Sequence, residues 1–176
     1  MAVRGHGKKR ASGNAPSLTH VDSKGEARMV DVSGKPETVR EAVARGALIV
    51  SREAFEAVRG NRVAKGDVLT VARIAGIQAA KQTSALIPLC HPIPLDHVEV
   101  KAVLDAAGCR IELQATARTR SSTGVEMEAL TAVTVAGLAA YDMIKAIDRG
   151  AVLTEVRLVS KSGGARGAYA RAGERS

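Results

Sequence analysis

The sequence predicts an α+β domain in which one antiparallel sheet is covered by helices on one face. Three observations point there. Two runs with a period of two residues flank a short glycine turn in the middle of the chain, the signature of a half-buried hairpin. Helix-like stretches lie before and after that hairpin. Aromatic residues make up only 2% of the sequence, so Ala, Val, Leu and Ile fill the core and elements can approach closely. A length of 176 residues suits one domain with a tail, long enough to bury a core.

Residues 1–17 are polar, Gly-rich and without periodicity, which predicts a disordered basic tail. Residues 18–36, with Gly25 and the turn-like Gly34-Lys35-Pro36, read as an ordered arm. A single α+β domain spans 18–167, and 168–176 form a second disordered tail. Thr38 to Val50 is rich in Val and Ala and forms the first strand. Ser51 to Arg59 is a short helix with a Ser N-cap and Glu53 in its first turn. The corner Lys65-Gly66-Asp67 opens a longer helix to about Ala85, capped by Asp67.

Beyond a proline-rich connection, Val98, Val100, Ala102 and Leu104 alternate with Glu99, Lys101, Val103 and Asp105. Gly108 marks the turn. Ile111, Leu113, Ala115 and Ala117 then alternate with Glu112, Gln114, Thr116 and Arg118. A long helix follows from about Gly124 to Ile147, and a last strand from Val152 to Ser160. The order is the βαββαβ pattern of a ferredoxin-like split fold.

The formal charge of +8 suggests an anionic partner without choosing between a nucleotide and a nucleic acid. Arg4, Lys8, Lys9 and Arg10 at one end, and Arg166, Arg171 and Arg175 at the other, supply several of those charges. No uninterrupted apolar run approaches the roughly 20 residues of a membrane span. The basic start is followed by Gly, Ser and Asn and is not a secretory signal. Cys90 and Cys109 lie in unlike contexts, which reads as free thiols in a reducing, cytoplasmic compartment.

Four constellations could carry chemistry. In Ile87-Pro88-Leu89-Cys90-His91-Pro92-Ile93-Pro94, three prolines hold Cys90 and His91 in a rigid loop. A histidine held that way suits hydrogen bonding or proton transfer; the segment reads equally as a tight connector. A metal site is not expected, because no CxxC, HxH or His-x3-His spacing is present. At the start of the long helix stand Glu126, Met127 and Glu128. Carboxylates there could accept the amino and imino edge of a guanine-like ring. Thr123-x-x-Glu126 is also a capping box, which accounts for Glu126 but not for Glu128.

Near the end of the same helix, Asp142 and Lys145 share a face at i,i+3. The Ala-, Val- and Gly-rich turns before them suggest a partly desolvated pair suited to acid–base work, although a surface i,i+3 ion pair is the commoner arrangement. Lys65, Lys81 and Lys161 stand at turns or on helices where cations can meet phosphate.

LTHVD, MVDVS, TVREA, KGDVL, ARIAGIQAAK, LIPLCHP, TGVEMEALTA, YDMIKA and VRLVSKSGG follow one another in this order. Together they resemble the molybdenum cofactor biosynthesis protein C family, the cyclic pyranopterin monophosphate synthases, over roughly Leu18 to Gly167. The resemblance implies a ferredoxin-like fold and a lyase that assembles as a hexamer, a trimer of dimers. It implies conversion of 3′,8-cyclo-7,8-dihydro-GTP into cyclic pyranopterin monophosphate with loss of pyrophosphate. It places catalysis on Asp142 with Lys65 and Lys145. It places substrate binding on Leu89, Cys90, His91, Met127 and Glu128, with Glu126 adjacent and Lys161 and Lys81 toward phosphate. No organic cofactor or redox centre is implied, and magnesium could accompany the phosphates.

A second reading is an RNA-binding module, since the RNA recognition motif shares βαββαβ and the chain is basic. That motif stacks bases on aromatic residues of its central strands. The strand Ile111 to Thr119 has none, and the single Phe, Phe55, lies on a helix. On a continuous helix, Glu128 and Asp142 lie ~21 Å apart at a rise of 1.5 Å per residue. A site using both ends would then sit at a two-fold interface between subunits.

Overall fold

The computed structural model describes residues 25–165 and 167–174. Two compact units divide the chain between Val30 and Asp31, and the helices and strands named below lie in the second. The tail expected over 1–17, and the first part of the expected arm, fall outside the described residues.

The elements are β1 (Thr38–Ile49), α1 (Arg52–Arg59), α2 (Val68–Lys81), α3 (Thr83–Leu86), β2 (His97–Asp105), β3 (Arg110–Ser121), α4 (Glu126–Ile144), β4 (Val152–Ser162) and β5 (Tyr169–Ala170). The sheet runs β2-β3-β1-β4-β5, and each neighbouring pair is antiparallel. Its first four strands form the expected ferredoxin-like arrangement, with β5 added at the edge.

Local chemistry starts and stops these elements. The Ser51 hydroxyl accepts from the Ala54 amide and caps α1; the Asp67 carboxylate accepts from the Thr70 amide and caps α2. The hairpin turns on Asp105, whose carboxylate accepts from the amides of Ala107 and Gly108. Cys109 takes the left-handed position that closes the turn, at φ 46°.

Alternation sends Ala42, Ala44 and Leu48 of β1, and Ile111, Leu113, Ala115 and Ala117 of β3, into one buried face. Helix α4 lies on that face and buries Ala129, Ala132, Val133, Ala136, Gly137 and Ala140. Small residues set the spacing. A Cβ on Gly46 would stand 2.8 Å from Val133 Cγ1. One on Gly76 of α2 would stand 2.8 Å from the Ala132 carbonyl oxygen of α4 and 3.1 Å from Val100 Cγ2.

Four boundaries differ from the sequence expectation. The helix expected from Asp67 to Ala85 is broken at Gln82, and the Thr83 hydroxyl donates to the carbonyls of Ala79 and Ala80. The long helix begins at Glu126 and ends at Ile144, a shorter span than 124–147. Strand β4 continues to Ser162. The tail expected to be disordered from 168 instead carries β5, which pairs Ala170 with Ser160 and Tyr169 with Lys161. A two-residue strand carries no periodicity for the sequence to display.

Gly76→Val is expected to destabilise the fold by about 1–3 kcal/mol, because the α2 and α4 backbones leave no room for a branched side chain. Urea unfolding of the variant checks this, and a midpoint equal to the parent's contradicts the close approach.

Candidate active site

Charged side chains gather at both ends of α4. At its start, Val125 occupies the capping position without any side-chain cap bond. The capping box expected from Thr123 and Glu126 is therefore not formed. Glu126 instead reaches across to β4, where Lys161 Nζ donates to Glu126 Oε1 at 2.8 Å. Burial pushes the Glu126 carboxyl up, but the Lys161 hydrogen bond, with the charges of Lys161 and Arg40, outweighs it and holds the group below its ordinary value.

Glu128 behaves in the opposite way. It is 3% exposed, and its Oε2 has no hydrogen-bond partner. Burial first, and the nearby Glu126 charge after it, push its carboxyl from 4.5 up to about 7. Two carboxyls two positions apart are thus driven in opposite directions, because a lysine reaches only one of them.

The proline-rich loop lies against this end of the helix. Cys90 is half-buried, its amide donating to the Ile87 carbonyl at 3.0 Å. Burial, and then the charges of Glu128 and Glu126, push its thiol up and keep it protonated. Leu89 and His91 are half-buried beside it in sequence. His91 lies near Asp31, whose carboxyl is held low first by the hydroxyl and amide of Ser33. Met127 turns outward, 36% exposed.

At the other end, Lys65 Nζ donates to both the carbonyl oxygen and Oδ2 of Asp142, each at 2.7 Å. Lys145 meets Asp142 Oδ1 at 2.6 Å. Lys65 thus caps the last turn of α4, where carbonyls are unpaired and a cation is favoured. Lys145 first and Lys65 second hold the Asp142 carboxyl down to about 2, and Asp142 holds the Lys145 ammonium up.

The expectation of a desolvated pair is corrected here: the side chains of Asp142 and Lys145 are 56% and 53% exposed. The buried face of the last turn belongs to Met143 and Ile144. Asp142 sits on the opposite side, open in the single chain.

The structure therefore gathers Cys90, Glu126, Glu128 and Lys161 at one end of α4, and Lys65, Asp142 and Lys145 at the other. Lys81 joins neither through an ion pair among the described residues; it lies in a shallow groove with Ile77, Ile93, Leu95, Asp96 and His97. Arg40 was missed. It donates from Nε to the Ser121 carbonyl at 2.8 Å and from Nη2 to the Ser122 carbonyl at 2.9 Å, which fixes its guanidinium beside Glu126. One signal marked it: Arg40 continues the inward set Ala42 and Ala44, an unusual place for a cation. Among the described residues, no group of three or more His, Cys, Asp or Glu stands together to hold a metal ion.

The pattern of the MoaC family matches residues 29–164. A cyclic pyranopterin monophosphate synthase of Heliobacterium modesticaldum is 56% identical over 154 residues, covering 88% of this chain and 97% of the relative. A protein of the same name from Thermomicrobium roseum is 55% identical over 154 residues, covering 88% of this chain and 93% of the relative. Molybdenum cofactor biosynthesis protein 1 of Homo sapiens is 53% identical over 155 residues, 88% of this chain but only 24% of that longer protein.

The orphaned carboxyl makes stability depend on pH with a definite sign. The folded state holds the Glu128 proton up to about 7, against 4.5 for the free group. Folding is therefore unpenalised below pH 4.5 and loses stability as pH climbs through about 7. Glu128→Gln removes this dependence, so the variant should gain on the parent by up to about 3 kcal/mol between pH 5 and pH 8. Denaturant unfolding at several pH values checks it; a gap that stays constant contradicts the burial of an unpaired carboxyl.

Proposed function

This chain belongs to the MoaC family, and we propose that it is a cyclic pyranopterin monophosphate synthase, a lyase of molybdenum cofactor biosynthesis. Its substrate is 3′,8-cyclo-7,8-dihydro-GTP and its products are cyclic pyranopterin monophosphate and pyrophosphate. The observation that carries the reading is the pairing on one helix of a buried carboxyl with one unpartnered oxygen at the start and an ion-paired Lys-Asp-Lys cluster at the end.

Each cluster suits a different part of that chemistry. A guanine-like ring offers amino and imino donors, and Glu128 Oε2 is an acceptor lacking a donor. Cys90 and His91 line the same end, with Leu89 and Met127 supplying apolar surface. Lys161, with Arg40 and more distantly Lys81, favours the anionic phosphate chain, where charge builds as pyrophosphate leaves. Opening one ring and closing another requires proton movements. Asp142, held ionised near 2, keeps the ammonium groups of Lys65 and Lys145 in place, so the lysines carry the protons to be given. The reaction opens one ring, closes a pyran and a cyclic phosphate and expels pyrophosphate with no net oxidation, so it calls for no redox centre or organic cofactor; magnesium could accompany the phosphates.

The two clusters are too far apart to serve one substrate within a chain. Helix α4 runs unbroken over 19 residues, which keeps its ends ~21 Å apart between Glu128 and Asp142. The active site therefore joins the start of α4 in one copy to the end of α4 in another, across a two-fold axis of a dimer. Exposed Ile74 on α2 and Leu138 on α4, 59% and 54% accessible, offer apolar surface for such contacts. Three dimers make the hexamer, working in the cytoplasm.

Incubation with 3′,8-cyclo-7,8-dihydro-GTP should yield the cyclic pterin phosphate and pyrophosphate in equal amounts, read by chromatography and a pyrophosphate assay. Asp142→Asn and Lys65→Ala should each abolish turnover while the protein still folds, Lys65→Ala losing about 0.3–1 kcal/mol as the helix end loses its cation; full activity at either position removes it from the catalytic set.

Sharing of the site has its own test. Equal amounts of Glu128→Ala and Asp142→Asn, unfolded and refolded together, should regain roughly a quarter of wild-type activity. About half the dimers are then mixed, and each mixed dimer has one intact site. A mixture as inactive as its parents, with subunit exchange verified, refutes the shared site.

A further inference from the structure

The C-terminal strap follows residues 29–164, which the family pattern matches, and is fastened directly to the strand that bears Lys161. After Ser162 the chain reverses, and the turn closes with the Gly167 amide donating to the Gly164 carbonyl at 3.1 Å. Gly163 and Gly164 take left-handed conformations at φ 84° and 78°, packed so tightly on β1 that a Cβ on either would collide with Val39 or Arg40. The returning chain forms β5 against Ser160 and Lys161. Past it, the Arg171 amide donates to the Val159 carbonyl at 2.8 Å, and its Nε to the Leu158 carbonyl at 2.9 Å.

What holds this strap is Glu174. Arg45 Nη1 donates to Glu174 Oε2 at 2.9 Å, and Arg157 Nε donates to Glu174 Oε1 at 2.5 Å. The Glu174 side chain is only 13% exposed. The two arginines are cross-strand partners, Arg45 on β1 directly opposite Arg157 on β4. Like charges placed so repel and weaken the ladder. They also sit between two irregularities in the β1–β4 register, one at Val43/Ala44 and one at Arg45/Ala47, so the pairing is weakest there. A carboxylate forked between the two guanidiniums converts repulsion into a clamp. Without it, the strap keeps only the pairing of Tyr169 and Ala170 and the bonds of Arg171 to β4, and short pairings of that kind are marginal.

We propose that Glu174 is a positioning residue: gripped by Arg45 and Arg157, it holds β5 along the end of β4 and so fixes where Lys161 presents its ammonium. The clamp acts from behind the sheet. Lys161 pairs with Ala42, on the face that carries the helices, whereas Arg45 projects from the other face. Lys161 is held in the backbone between β1 and β5, and its tip meets Glu126 at 2.8 Å. The inference rests on the reading of Lys161 as a phosphate-binding group, and its consequence is on substrate binding rather than on the chemical step.

The test combines exchange and kinetics on the full chain. In Glu174→Ala, hydrogen exchange at the Arg171 amide should quicken to that of a frayed strand. KM for 3′,8-cyclo-7,8-dihydro-GTP should rise roughly three- to tenfold, with kcat within about twofold of wild type. In a Lys161→Ala background the same change should add less than about twofold to KM, because the two residues act in one chain of contacts. Unchanged exchange overturns the strap's dependence on Glu174 whether or not the protein turns over this substrate. Faster exchange with unchanged KM, or an undiminished effect in the Lys161→Ala background, overturns the link to Lys161. If Glu174→Ala does not fold, Glu174→Gln, which keeps the size and one acceptor, is read by the same criteria. A wild-type protein without turnover counts against the enzymatic reading and not against the strap.

Discussion

Helix α4 is pressed against its neighbours at backbone distance, and that closeness governs where its two ends can be. Gly76 lets α2 approach the Ala132 carbonyl, Gly46 admits Val133 to the sheet, and Gly137 leaves room for Leu153 and Leu113. A core of Ala, Val and Leu with a single buried Phe55 tolerates such spacing because no large ring holds the layers apart. The helix runs unbroken from Glu126 to Ile144, held along its length by buried contacts. It acts as a rigid spacer with a charged group at each end.

The two ends differ in electrostatic character for simple reasons. At the start, burial dominates: Glu128 is enclosed without a cation, so its proton is retained toward neutrality, whereas Glu126, reached by Lys161, stays ionised. At the close, charge pairing dominates, and Asp142 between two lysines stays ionised in water. One end can hold a neutral acid and an acceptor waiting for a donor; the other offers fixed ammonium groups. A substrate that carries a base edge and a phosphate chain, and needs protons moved, uses both. On the proposed reading, the ~21 Å between the two ends brings a second copy of the chain into the site.

Most of the fold was legible because it depends on local periodicity. The hairpin showed itself in Val98 to Asp105 and Ile111 to Arg118, and Ser51 and Asp67 marked their helix starts by cap chemistry that the structure retains. What the sequence hid depends on long-range partners. The capping box at Thr123 gave way because Lys161, distant in sequence, offers Glu126 a stronger, charge-assisted bond. The exposure of Asp142 depends on which face of the last turn meets the core, and the Ala-rich run before it does not reveal that. Strand β5 and the Glu174 clamp were invisible, since two residues have no pattern and an acidic residue in a polar tail looks solvated. The motifs around Cys90, Glu128 and Asp142 were recognisable, but their separation into two clusters is a property of the helix between them.

The claim on which the account turns is that one substrate is held by two chains. The most direct measurement is a crystal structure of Asp142→Asn, made to stall turnover, with 3′,8-cyclo-7,8-dihydro-GTP bound. The account predicts a ligand whose base lies against Cys90 and Glu128 of one copy while Lys65, Lys145 and position 142 reach it from another copy related by a two-fold axis. A ligand touched by both clusters of the same chain, or one bound wholly at a single end of α4, would contradict it.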